Sequence, residues 1–192
     1  MHKLLVLCLF MFVWFGCSSA QYVQQSYYIE SNKLISVYID SNFSEEEAKE
    51  IEMSMILWNN ALNKQMLLFI ASKNFIISTH NINEAEENNS FIILKINSVI
   101  ANDKKDIDSS ILAYTNRVGG NIVYIIRDRM AEEDIHYIML HEFGHLLGAT
   151  HVKKGLMYKY YSPASYSCID YDTAKQVANY EKLNINNMKY CK

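Results

Sequence analysis

The sequence predicts one α/β (α+β) domain, a mixed, twisted sheet of about five strands packed with three main helices. Three observations lead there. Short runs rich in Ile, Val, Phe and Tyr recur along the chain and read as strands. Three longer segments repeat apolar residues at helical spacing. The 192 residues, 50% hydrophobic and 20% charged, supply enough apolar mass for one core. No internal repeat or low-complexity linker marks a second domain, and a monomer is expected. With a net charge of -3 and scattered lysines, nothing favours nucleic-acid binding.

The chain opens with His2 and Lys3 and continues as an apolar run from Leu4 to Phe15. The run is shorter than the roughly 20 residues that span a bilayer and fits the hydrophobic region of a secretory signal. Phe15-Gly16-Cys17-Ser18-Ser19 resembles a bacterial lipoprotein signal. That implies a signal peptide over 1–16, lipidation at Cys17 and an exported protein anchored in a bacterial envelope membrane. The alternative signal, 1–20, ends at Ser18-Ser19-Ala20 and leaves a soluble secreted or periplasmic product. Residues 17–33 then read as a linker and 34–192 as the domain. Cys168 and Cys191 remain as an even pair in an oxidising compartment, and a disulfide between them is expected.

Leu34 to Asp40 is a β-branched strand. Ser44, with Glu47 three residues on, forms a capping box, and Ile51, Met55, Trp58 and Leu62 give the following helix one buried face. Met66 to Ala71 and Phe75 to Ser78 read as short strands or one interrupted strand. Asn81 to Ser90, with Glu84, Glu86 and Glu87, is an acidic loop. Phe91 to Ile96 is a further strand and Asn102 to Ser110 a second charged loop. Two extended runs flank Gly119-Gly120-Asn121, a hairpin signal. Glu132, Glu133 and Asp134 begin a second helix that Gly148 stops. A last helix runs from about Asp170 to Leu183, with Val177 and Tyr180 on its buried side.

The second helix carries the chemistry, in His141-Glu142-Phe143-Gly144-His145-Leu146-Leu147-Gly148-Ala149-Thr150-His151. His141 and His145 stand four apart on one helix face, one turn from each other, and can share a zinc ion at about 2.0–2.1 Å each. Gly148 permits the reversal that returns His151 as third ligand. Three protein nitrogens leave a fourth position open, the mark of a catalytic zinc rather than a structural one. Glu142, beside the first ligand, reaches a zinc-activated water without itself binding the metal, as a general base for peptide hydrolysis must. The alternative is a non-catalytic, zinc-stabilised module that binds a peptide or an envelope partner. His136 lies off the ligand face, where a surface position is expected.

These eleven residues resemble the signature of the metzincin zinc endopeptidases. Gly155-Leu156-Met157-Tyr158 is similar to their methionine turn, in the form of the matrixin-like branch. The resemblance extends in element order over roughly 34 to 184, including Trp58-Asn59-Asn60-Ala61 and the Tyr114 to Tyr124 hairpin. It implies one catalytic zinc in a cleft between upper and lower parts of the domain, with Met157 as its floor and a peptide or protein as substrate. It also implies that Ala113, Tyr114 and Thr115 lie on an edge strand that captures substrate backbone. Tyr158 to Tyr166 would wall a specificity pocket, with Tyr158 and Tyr160 its candidate contacts. Lys159 stands where some metzincins have an oxyanion-stabilising tyrosine. Only six positions separate His151 from Met157, so that loop must be tight. Neither a cysteine-switch propeptide nor matrixin-type calcium and structural-zinc motifs are evident.

Overall fold

A computed structural model describes residues 34–70, 90–103, 107–162 and 167–191. The signal, Cys17, the linker, the strand at Phe75 to Ser78 and most of the acidic loop lie outside those residues. Five strands form one sheet: β1 (Ile35–Ile39), β2 (Leu67–Ile70), β3 (Phe91–Ile96), β4 (Ala113–Thr115) and β5 (Ile122–Ile126). Their order is β2-β1-β3-β5-β4; every pairing is parallel except that of β4 with β5. The longer helices are α1 (Glu45–Leu62), α3 (Asp134–Leu146) and α4 (Tyr171–Tyr180), with a short α2 at Ser98–Asn102. The mixed sheet and three main helices are those the sequence predicts. No helix among the described residues is long and apolar enough to cross a membrane.

Local chemistry explains the elements that frame the site. The Ser44 side chain accepts from the Glu47 N–H and the Glu47 carboxylate from the Ser44 N–H, closing the expected capping box. Ile51, Met55, Trp58 and Leu62 are all buried. They form one core with Val37 and Ile39 of β1, Val123 and Ile125 of β5, and Ile135, Met139 and Phe143 of α3. The buried Asn59 then joins helix to sheet. Its carbonyl accepts from the N–H groups of Met66 and Leu67, and its amide donates to the Leu67 carbonyl. Glu47, 4% exposed, also pairs with Lys95 at 2.8 Å and with Arg127, at the ends of β3 and β5.

Four expectations need correction. Asn97 caps α2, bonding the Ile100 N–H, in a stretch where the sequence predicts no helix and whose last residue reads as loop. The last helix is shorter than predicted, closing at Tyr180 because Lys182 turns left-handed at φ 56°. Tyr180 is not buried but 52% exposed, while Val177 is fully buried. His136 is not a free surface residue: it stands on the side of α3 that meets α1, where the Ser54 hydroxyl donates to its carbonyl at 2.8 Å. A helical wheel places it correctly off the ligand face but cannot show that a neighbouring helix covers it.

Candidate metal centre

α3 and α1 pack side by side, and the Trp58 indole N–H of α1 donates to the Leu140 carbonyl at 2.9 Å, just before the first histidine. His141, Glu142 and His145 are buried on α3, at 4%, 5% and 7% exposure. The helix ends at Leu146, and Gly148 at φ +91° reverses the chain. Any Cβ at Gly148 would overlap the Tyr180 ring of α4, so both conformation and space require glycine there. The Gly119 N–H of the β4–β5 hairpin donates to the His145 carbonyl at 2.8 Å. This bond holds the hairpin, and with it β4, against the end of the helix.

The turn brings His151 back to the other two imidazoles. One ring nitrogen from each of His141, His145 and His151 lies within 4.8 Å of the others. The Nε2 atoms of His145 and His151 are 3.1 Å apart. Two nitrogens on a tetrahedral zinc would stand about 3.3 Å apart at bond lengths near 2.0–2.1 Å. The donor set therefore fits that ion.

Protonation is prepared for metal binding. His141 Nδ1 lies 2.6 Å from the Leu156 carbonyl and His145 Nδ1 lies 2.8 Å from the Ala149 carbonyl. A carbonyl only accepts, so each Nδ1 carries the hydrogen and each Nε2 keeps its lone pair. Burial, with the neighbouring histidines adding to it, pushes His141 down to about 3. Burial likewise pushes His145 down to about 4. His151 is also lowered, by burial and by the Lys159 charge. All three rings are thus neutral near pH 7, as ligands must be. Burial pushes the Glu142 carboxyl up to about 8 in the metal-free protein, and its Oε2 has no hydrogen-bond partner among the described residues.

Met157 is fully buried. A Cβ at Gly144 would meet its sulfur at 2.5 Å, so the glycine inside the motif lets the methionine lie flush against α3. The six-position loop before it closes through the Val152 N–H to the Met157 carbonyl at 2.9 Å and turns at Gly155, φ +85°. Asp170 is a residue that sequence reasoning places only at a helix start. Its Oδ1 caps α4 at Thr173, while its Oδ2 accepts from the Leu156 N–H at 2.8 Å. Leu156 is the residue whose carbonyl orients His141, so Asp170 steadies that ligand through the turn. Spacing starts a helix near Asp170 but holds no sign of this second partner.

The other predicted residues are placed less closely. Ala113, Tyr114 and Thr115 constitute β4, an edge strand of the sheet, and Tyr114 stacks on Tyr124 with ring centroids 4.8 Å apart. Tyr158 and Tyr160 follow the methionine turn in edge-to-face contact at 5.5 Å, with the Lys159 ammonium 4.6 Å from the centre of the Tyr160 ring. Tyr161 donates to Asp134, tying this segment to the start of α3. Cys168 and Cys191 are bridged. Their disulfide fastens the C-terminal segment beside the start of α4, where the Cys191 N–H donates to the Ile169 carbonyl at 3.0 Å.

A comparison with curated proteins finds no match. The family model described as Matrixin matches residues 39–180, well over half the chain, and spans β2 to β5, α1, the three histidines and α4. The fold, the clustered imidazoles and this match agree, and the chain belongs to the matrixin family of zinc-dependent metallopeptidases.

Proposed function

We propose that this metallopeptidase is an exported endopeptidase that holds one zinc ion through His141, His145 and His151 and uses Glu142 as its general base. The observation that carries the reading is the Glu142 carboxyl, buried next to the converging imidazoles with one oxygen unpartnered among the described residues. Buried polar atoms are otherwise almost always paired, and a structural zinc site has no use for this one. Zinc, when bound, supplies a Lewis acid that polarises a scissile carbonyl and makes water acidic near neutral pH. Glu142 takes a proton from the attacking water as the new C–O bond forms. It passes that proton to the amine nitrogen as the C–N bond breaks.

Substrate positioning falls to β4, whose place at the sheet edge suits capture of an extended peptide through backbone hydrogen bonds at Ala113, Tyr114 and Thr115. Tyr158 and Tyr160 offer apolar faces for a side chain beyond the cleavage point, and Met157 closes the floor. Export rests on the N-terminal sequence, with lipidation at Cys17 as the route to a membrane anchor. A disulfide is in keeping with an oxidising compartment.

The test is metal analysis of the purified protein together with cleavage of a mixed protein substrate, with and without chelator, for wild type and Glu142→Gln. One equivalent of zinc, chelator-sensitive cleavage and a zinc-loaded but inactive variant are the expected results. Cleavage undiminished in Glu142→Gln would refute the general-base role. Zinc retention with no cleavage by wild type would point to a binding module, and absence of zinc would remove the metal site.

A further inference from the structure

The three histidines are not held alike. His141 and His145 each give their Nδ1–H to a backbone carbonyl. Among the described residues no acceptor meets the Nδ1 of His151, and its side chain is exposed. A metal-binding imidazole without such a partner depends on its backbone for orientation. Backbone bonds hold the chain on either side, from the Ala149 N–H to the Gly144 carbonyl at 2.8 Å and from the Val152 N–H to the Met157 carbonyl at 2.9 Å, while Thr150 and His151 between them are exposed.

One side chain holds Thr150 itself. Gln176 reaches from the middle of α4, and its Oε1 accepts from both the Thr150 N–H at 2.9 Å and the Thr150 hydroxyl at 2.8 Å. Its Nε2 donates to the Thr150 carbonyl at 3.4 Å. The amide thus grips both polar groups of the Thr150 backbone, much as a neighbouring strand would. The grip is only as firm as α4, and α4 is firm. Thr173, Ala174, Val177 and Ala178 are buried, Asp170 caps its start, and the disulfide lies just before it.

From this geometry we infer that Gln176 is a positioning residue for the third zinc ligand, helping to set the place of His151 through the backbone of Thr150. The inference rests on the zinc reading of the three histidines. It assigns to α4, which supplies no ligand, part of the affinity for the metal. Gln176 touches neither substrate nor the reacting atoms, so its loss acts on the metal first and on cleavage only as a consequence.

The experiment measures the zinc dissociation constant by competition with a chromophoric chelator, and thermal unfolding of the metal-free protein, for wild type, Gln176→Ala and Gln176→Glu. Outer partners of metal ligands are worth about 10–100-fold in affinity, and these bonds are solvent-exposed. Gln176→Ala is therefore expected to weaken zinc about tenfold while the metal-free melting temperature stays near that of wild type. Gln176→Glu keeps both acceptor bonds from Thr150 and should restore most of the affinity. Unchanged affinity in Gln176→Ala would overturn the inference. So would a loss shared equally by the Glu variant, or one matched by a fall in metal-free stability, since either marks a merely structural role. Failure of wild type to take up zinc would instead remove the reading of the site itself.

Discussion

Replacing Glu142 with Gln should stabilise the metal-free protein by an amount that grows with pH. The carboxyl ordinarily titrates at 4.5 and is pushed up to about 8 by burial in the folded, metal-free state. Between those values the folded chain holds a proton that the unfolded chain has released, so stability falls as pH rises through this window. Raising a titration midpoint by one pH unit corresponds to about 1.4 kcal/mol, which sets a ceiling near 5 kcal/mol above pH 8. Relaxation and water entry around an ionised buried group lower such penalties, and about 2–3 kcal/mol should be observed. Gln has the same shape and never ionises. The assay is denaturant unfolding of both proteins in excess chelator at pH 5, 6, 7, 8 and 9. Their difference should be small at pH 5, widen through pH 7 and level off above about 8. Other titrating groups act in both proteins and largely cancel. Parallel curves would mean that Glu142 is solvated or already paired, and would refute the picture of a dry, unpartnered base.

Two further outcomes follow from the turn after α3 and from the C-terminal bridge. Gly148→Ala meets both the left-handed φ of +91° and the Tyr180 ring, and should cost about 1–3 kcal/mol in denaturant unfolding. Tyr180→Ala in the same chain should recover part of that loss, and no recovery would mean that backbone strain alone is responsible. Reducing the bridge between Cys168 and Cys191, 23 positions apart, should lower stability by about 3 kcal/mol on the chain-entropy account. Comparison of the oxidised protein with a double Cys→Ser variant checks this; unfolding midpoints that coincide would contradict it.

Much of the centre can be read locally because its geometry is local. His141 and His145 face one way because an α-helix repeats every 3.6 residues, and Ser44 with Glu47 marks a helix start through bonds three residues long. The return of His151 also follows from a short segment, once Gly148 supplies a turn that other residues rarely adopt. The hairpin behind β4 and β5 is legible for the same reason. The misreadings at Tyr180 and His136 share the opposite cause. Each side chain meets an element far away in sequence: Tyr180 the two glycines that admit its ring, the His136 Nδ1 the hydroxyl of Ser54.

By itself, then, the sequence determined the class of elements, the cluster of three imidazoles and the carboxyl beside them, since each depends on spacing within one helix and the turn after it. Tertiary structure decided the strand order β2-β1-β3-β5-β4, the seat of Met157 against Gly144, and the hold of Asp170 on Leu156 and of Gln176 on Thr150. Those contacts join residues many positions apart, whose approach is set by packing a whole core. No local periodicity records which distant backbone group a side chain will meet.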